Sequence, residues 1–385
     1  MKITKIESRV YGHDMPKMGY SQAWFTRRSC HLVRVETDEG LVGVGEVFGA
    51  GNVALGNKAI VEQVIQPMLL GEDPLARQYL WHKVYNALRD HGQKGMPLQA
   101  QSAIDIALWD IAGQATGLPL VKLLGGPCRE EVTVYGYGMM LREEEDLEAS
   151  FADEAAAIAD MGFKCTKMKI GMGPKKDVKL IEAVRNAIPE EMGLGVDANH
   201  AYAFKDAMYV GAAMDEMDIA WFEEPVANED HQGYRDLCQA LKTPVSGGEA
   251  EFTRWGFRDL IEKRCVDIVQ PEVCGLGGIT EYLNVLALAH THFVPCMNHC
   301  WGSDVSVAMT LHLLCAQQDL PGGLFPQSPM LEFDSTISHF RDEILEEPLD
   351  IFGQVKRQDG KAKPPMRPGL GVTVNWEALE RYRVA

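Results

Sequence analysis

Asp197, Glu223 and Glu249 stand at equal intervals in this chain, each 26 residues from the next. That interval is the length of one strand plus one helix, and each residue closes a short apolar run. Three adjacent strands would therefore carry three carboxylates to one point. An all-oxygen set with room for water or substrate oxygens suits Mg²⁺. Taken singly, each is an ordinary surface acid, and it is the shared register that argues for a site. One unit before Asp197, Lys167 and Lys169 lie two apart in Phe163-Lys164-Cys165-Thr166-Lys167-Met168-Lys169-Ile170, so on a strand they point the same way. An isolated pair of this kind is usually an exposed edge. Here the flanking Phe163 and Ile170 favour the interior, where one ammonium beside another is expected to lower its pKa and yield a general base. His299 ends the run Phe293-Val294-Pro295-Cys296-Met297-Asn298-His299. A lone histidine there is commonly a satisfied core residue, but Glu272 could hold one ring nitrogen and raise the basicity of the other. Glu332 and Asn199 complete the polar strand ends. Glu332 could donate to a substrate carboxylate if protonated, or be a plain strand end.

These residues need strands to position them. From Val132 onward, apolar runs near 132–138, 163–170, 193–198, 219–223, 244–249, 266–270, 293–298 and 325–333 alternate with helical stretches. The pattern predicts an α/β fold of the (β/α)8 TIM-barrel type, with a doubly wound open sheet as the alternative. Before it, residues 1–12 and 29–49 read as strands, with a turn at Asp38-Glu39-Gly40. Residues 54–117 have helical period and stop at Gly117-Leu118-Pro119. The expected organisation is an α+β capping domain over 1–125, the barrel over 126–354, and a segment 355–385 that packs back on the capping domain.

Composition narrows the function. The 385 residues exceed what one core usually serves, and a net charge of −18 argues against a nucleic-acid partner. Nine cysteines without a CxxC pair fit a reduced, cytoplasmic setting. There is no apolar leader in Met1–Arg9 and no long apolar run, so no membrane is expected. Gly43, Gly45 and Gly49 have the wrong spacing and context for a dinucleotide site, and there is no P-loop, GxSxG or HExxH.

Taken together, Ala103-Ile104-Asp105-Ile106-Ala107-Leu108-Trp109-Asp110, Lys167-Met168-Lys169-Ile170-Gly171, Asp197-Ala198-Asn199, Trp221-Phe222-Glu223-Glu224-Pro225, Gly247-Gly248-Glu249 and Gly277-Gly278-Ile279-Thr280 resemble the mandelate racemase subgroup of the enolase superfamily across essentially the whole chain. The resemblance implies that Asp197, Glu223 and Glu249 bind Mg²⁺. It further implies that Lys169 is a general base tuned by Lys167, that His299 is the opposing acid/base, and that Glu332 polarises the substrate carboxylate. Glu272 departs from the pattern, which commonly has Asp there. Capping-domain loops around Met15–Arg27 and Phe48–Val53 are implied to close the site. Tyr20, Trp24 and Arg27, with Asn199 from the barrel, are the candidate substrate contacts. A homo-oligomer is also implied.

Tyr85-Asn86-Ala87-Leu88-Arg89-Asp90, Asp197-Ala198-Asn199-His200 and Leu331-Glu332-Phe333-Asp334 look close to the branch that handles oxidised sugar acids, including galactarolactone cycloisomerases. The expected activity is proton abstraction α to a carboxylate with Mg²⁺ stabilising the enediolate. With a β-hydroxyl this becomes dehydration of an acid sugar. The polar Lys17, Ser21, Gln22, Arg27 and Arg28 suit such a substrate, while Trp24 and Phe25 argue mildly for an apolar one. The alternatives are cycloisomerisation of a sugar lactone, racemisation of a 2-hydroxy acid, a metal-free Schiff-base aldolase on Lys167 or Lys169, and a non-catalytic metal-binding scaffold.

Overall fold

The computed structural model describes residues 1–49, 53–320, 322–324, 326–336 and 341–385. Strands β1 (Ile3–Tyr20), β2 (Ala23–Thr37) and β3 (Val42–Glu46) form an antiparallel sheet in that order. One face of this sheet meets the helix Met96–Thr116, which is buried from Leu98 to Gly113. Gly43 and Gly45 explain the fit. A Cβ on either would fall 2.2 Å from the Ala107 carbonyl oxygen or 2.0 Å from that of Ala103, so these glycines let strand and helix backbones touch. The same helix covers the free edge of β3: Asp110 accepts from the Val44 N–H at 3.0 Å and Gln114 donates to the Val42 carbonyl at 2.8 Å. It ends at Gly117, whose φ of 69° is the left-handed C-terminal cap expected there.

The strand expectation for 1–12 falls short of the structure. β1 and β2 run on as a long hairpin with its turn at Ser21-Gln22, so Met15–Arg27 is mostly paired strand rather than loop. Pro16 lacks an N–H, and the ladder slips between Asp14 and Met18.

The second sheet is parallel and curled. Strands β4 (Val132–Tyr137), β5 (Cys165–Lys169), β6 (Gly193–Asp197), β7 (Trp221–Glu223), β8 (Val245–Gly247), β9 (Ile268–Val269) and β10 (Leu331–Asp334) pair in chain order, and β10 returns to lie beside β4. Consecutive order with the last strand against the first is barrel topology, since a doubly wound sheet reverses direction at a switch point. One expected strand, 293–298, is not regular. It joins the sheet through single bridges, Val269 to Cys296 and Glu272 to His299. Pro295 cannot donate to a ladder and Phe293 has φ 55°. The last strand is also shorter than expected: residues 326–330 are irregular and 325 lies outside the described residues.

The C-terminal segment touches both parts. β11 (Lys361–Ala362) pairs antiparallel with β4. Leu370 N–H donates to Asp110 at 2.8 Å, and Val384 N–H donates to the Val10 carbonyl at 2.8 Å. Among the described residues no helix is long and apolar enough to cross a membrane.

Candidate active site at the ends of the parallel strands

Strand register assembles the carboxylates. Lys169 pairs with Asp197 across β5 and β6, and Asp197 with Glu223 across β6 and β7. Glu249 follows β8 after Gly248, whose φ of 122° turns the chain inward. Ligand oxygens of Asp197, Glu223 and Glu249 lie within 4.8 Å of one another. Trp221 Nε1 and Gln270 Nε2 donate to Glu223 Oε2 at 2.9 and 2.7 Å, and the Asn199 N–H donates to Asp197 Oδ1 at 2.9 Å. Glu249 Oε2 is buried without a hydrogen-bond partner, and its cation neighbour, His299 Nε2, stands 3.3 Å away. Three converging carboxylates, one of them with a free buried acceptor, fit a hard divalent cation such as Mg²⁺.

The lysines do not behave as the sequence suggested. Lys167 Nζ lies 2.6 Å from both Glu223 and Glu332 and 3.6 Å from Asp197, and Lys169 Nζ lies 2.5 Å from Asp197. Burial works against both charges, but the carboxylates outweigh burial and mutual repulsion, so both ammonium groups are raised, not lowered. Glu332 changes role for the same reason. Burial would raise it, but Lys167 and His299 hold it down at about 2, so it is a carboxylate and not a protonated donor. It also accepts from the Cys300 N–H at 3.0 Å.

His299 Nδ1 lies 2.6 Å from Glu272. The longer glutamate is accommodated because its other oxygen accepts from the Cys274 N–H at 2.7 Å, capping the short helix Val273–Leu276. Burial would lower His299, but Glu249, Glu332 and Glu272 raise it to about 10.

Lys169, His299, Glu249, Glu332 and Asn199 face one cavity of about 240 Å³. Of the expected capping-domain contacts, Tyr20 lines it. Trp24 does not: it is 44% exposed, with Lys17 Nζ 5.0 Å from its ring centroid. Arg27 lines a neighbouring cavity of about 290 Å³ with Arg28 and Glu46. The sequence reading gave no role to Tyr137, Met140, His200 or Trp301, all of which line the reaction cavity. The run Asp197-Ala198-Asn199-His200 placed His200 beside the site, but nothing in its spacing set it apart. The hairpin tip roofs the cavity. Ser21 Oγ and Gln22 Nε2 donate to the Asn199 carbonyl at 2.6 and 2.9 Å, and Gly19 and Leu141 exchange backbone hydrogen bonds of 2.9 Å each.

Barrel, capping sheet, carboxylate triad and the lysine and histidine on one cavity together define an enolase-type architecture. Residues 10–125 match the mandelate racemase / muconate lactonizing enzyme N-terminal domain, and residues 150–378 match the enolase C-terminal domain-like family. The chain belongs to the mandelate racemase / muconate lactonizing enzyme family of the enolase superfamily. It is 39% identical over 387 residues to D-galactarolactone cycloisomerase of Agrobacterium fabrum, covering 100% of this chain and 99% of that one. It is 34% identical over 352 residues to arabinonate dehydratase of Saccharolobus solfataricus, covering 91% and 89%. The crystal structure of L-talarate/galactarate dehydratase from Salmonella typhimurium LT2, liganded with Mg and L-lyxarohydroxamate, superposes with a TM-score of 0.86 at 27% identity, covering 100% of this chain and 93% of that one.

Proposed function

We propose that this protein is a Mg²⁺-dependent acid-sugar enzyme that removes the proton α to a carboxylate and expels the oxygen on the β-carbon, giving a 2-keto-3-deoxy acid. The observation that carries the reading is the placement of Lys169 and His299 on one cavity with the triad Asp197, Glu223 and Glu249. A bound Mg²⁺ would act as a Lewis acid that lowers the cost of charge on the substrate carboxylate, worth several kcal/mol. The chain's own residues do the rest. Lys167 keeps Glu332 ionised and is itself held by Glu223 and Glu332, which fixes the floor of the site. A cation held by Asp197, Glu223 and Glu249 would offset the carboxylate charge that raises Lys169 and His299; Lys169 or His299 then takes the α-proton, according to the configuration of that carbon, and the roof formed by Tyr20 and Gln22 limits water.

Dehydration of an aldonate or aldarate is the first reading, since the cavity presents Asn199, Gln22 and His200 to a polyol. Expulsion of a ring oxygen, that is, cycloisomerisation of a sugar-acid lactone, is the second. It is favoured by the full-length similarity to a galactarolactone cycloisomerase. The chain's proposed division is a capping domain over 1–125, a barrel over 126–354 and a tail over 355–385. Exposed Leu55, Val64, Tyr79 and Met96 on the capping helices support a homo-oligomer, and nine unpaired cysteines support a reducing, cytoplasmic setting.

The test is to incubate purified enzyme, with and without Mg²⁺, with mono- and diacid sugars and their lactones. Semicarbazide absorbance reads 2-keto product, and NMR in D₂O reads α-proton exchange. Product from an open-chain acid supports dehydration, and product only from a lactone supports cycloisomerisation. Exchange without product would mark an epimerase, and no exchange or product with any substrate would sink the proposal.

A further inference from the structure

His299 sits on a stretch that no strand ladder holds: 293–298 is irregular, and His299 joins the sheet through a single bridge to Glu272. Lys169, by contrast, ends β5, which is paired with β4 on one side and β6 on the other. What fixes His299 comes from the other sheet. Glu46, the last residue of β3, reaches the chain just past the histidine and is buried there. Its two carboxyl oxygens accept the Ser303 N–H at 2.9 and 3.1 Å, the Ser303 hydroxyl at 2.7 Å and the Ser306 N–H at 3.2 Å. A capping-domain side chain thereby satisfies the first turn of the barrel helix Asp304–Ala316. The fit leaves no slack, since a Cβ on Gly302 would fall 2.6 Å from the Ser306 Cβ and 3.2 Å from the Glu46 Cδ. Between His299 and this clamp, Cys300 gives its N–H to Glu332 at 3.0 Å, and its thiol lies 3.3 Å from the Ser306 hydroxyl.

The residues after Glu46 reach the ring itself. The Phe48 N–H donates to the Cys274 carbonyl at 2.9 Å, and Cys274 is the residue whose own N–H fixes Glu272. The Phe48 ring stands at 84° to the His299 imidazole, with centroids 5.6 Å apart. The end of β3 thus grips the chain that follows His299, one side of its ring and the neighbour of its carboxylate partner. We infer, on the proton-abstraction reading above, that Glu46 is a positioning residue for His299, acting through Ser303. Proton transfer at His299 then depends on the capping sheet, whereas proton transfer at Lys169, held in its own ladder, does not depend on Glu46. An amide cannot take over this task. Every polar neighbour of the two oxygens donates, Cys30 Sγ at 3.7 Å included, so whichever oxygen became an NH₂ group would face an N–H.

Glu46→Gln is therefore the test, read beside His299→Asn and Lys169→Ala. The Mg²⁺-loaded proteins are given the C2 epimers arabinonate and ribonate, and galactarate and talarate, and α-proton exchange is followed by NMR in D₂O. On the substrates from which His299→Asn fails to exchange, Glu46→Gln is expected to lose about 10- to 100-fold, the range that misplacement of about 1 Å can bring. On the substrates that His299→Asn still exchanges, it should keep close to the wild-type rate. A uniform loss across both sets would mark a general weakening of the domain junction and overturn the role of Glu46. Unchanged exchange from every substrate would overturn it too, and either result leaves proton abstraction by Lys169 and His299 standing. If wild type exchanged none of the four, both would fall. Should Glu46→Gln not fold, Ser303→Ala, which removes the hydroxyl partner from the barrel side, is expected to show the same split.

Discussion

Glu272 holds His299 with one carboxylate oxygen, 2.6 Å from Nδ1, while its other oxygen accepts from the Cys274 N–H at 2.7 Å. Ring and helix cap are thus tied to one side chain, and its length lets it reach both. Glu272→Gln removes the charge that supports the imidazolium and is expected to cut His299-dependent proton transfer about 10- to 100-fold, as loss of an orienting partner commonly does. Glu272→Asp keeps the charge but cannot span both contacts, so its loss should be smaller. Exchange rates in D₂O for the two variants measure the difference, and equal losses would argue that length, not charge, is what matters.

Lys169 reaches the cavity from the end of β5, and His299 from the irregular segment bridged to Glu272. If they serve opposite faces of the α-carbon, each should be needed for one configuration. Lys169→Ala is expected to abolish exchange from one C2 epimer and His299→Asn from the other, each by a factor of about 100 to 10,000. The readout is α-proton loss from both epimers by NMR. Parallel loss on both epimers in both variants would place the two residues on one face.

Much of this site was legible because strand ends repeat. The equal spacing survives as strand register for Asp197 and Glu223, while Glu249 lies two residues past the end of β8, whose Ser246 is the one that pairs with Glu223. The lysine pKa was not legible, because sequence gives Lys167 beside Lys169 but not the glutamates facing them from β7 and β10. Nor was the hairpin: from Asp14 to Met18 its side chains are exposed or half-buried with no alternation, so the period-2 signal fades although pairing continues to Tyr20. That slip also explains Trp24 and Arg27. Both belong to a strand with two faces, and the expected segment could not say which residues face the cavity. The irregular 293–298 segment misled in the opposite sense, since an apolar run containing Pro295 reads as strand but forms only bridges.

The roof depends on a glycine. Gly171 has φ 122°, and a Cβ there would lie 2.5 Å from the Ser21 Cβ. Gly171→Ala should therefore strain the backbone and push the hairpin tip away from the Asn199 carbonyl. Because misplacement of about 1 Å can cost up to about 100-fold, kcat/KM is expected to fall about 10- to 100-fold, mainly through a higher KM. Steady-state kinetics with the best acid-sugar substrate checks this, and an unchanged KM would mean that the hairpin does not need its contact with Asn199 to close.

The junction between capping helix and barrel should respond to pH through Asp105. This residue is 3% exposed and accepts from the Thr280 N–H at 2.8 Å and the Thr280 hydroxyl at 2.6 Å. Burial pushes it up to about 7, against the two Thr280 hydrogen bonds and Arg77, which pull it down. An unfolded aspartate titrates near 4, so the folded chain holds a proton here that the unfolded chain has released. The stability this contributes is fully present below about pH 4 and is lost as pH rises through about 7. Thermal midpoints should accordingly fall between pH 5 and pH 8, and Asp105→Asn, which cannot ionise, should flatten that fall while keeping an acceptor for the Thr280 N–H. Calorimetry on both proteins across that range decides it: an identical slope in the variant would mean that the ionised carboxylate is tolerated, with Arg77 and Thr280 carrying its charge.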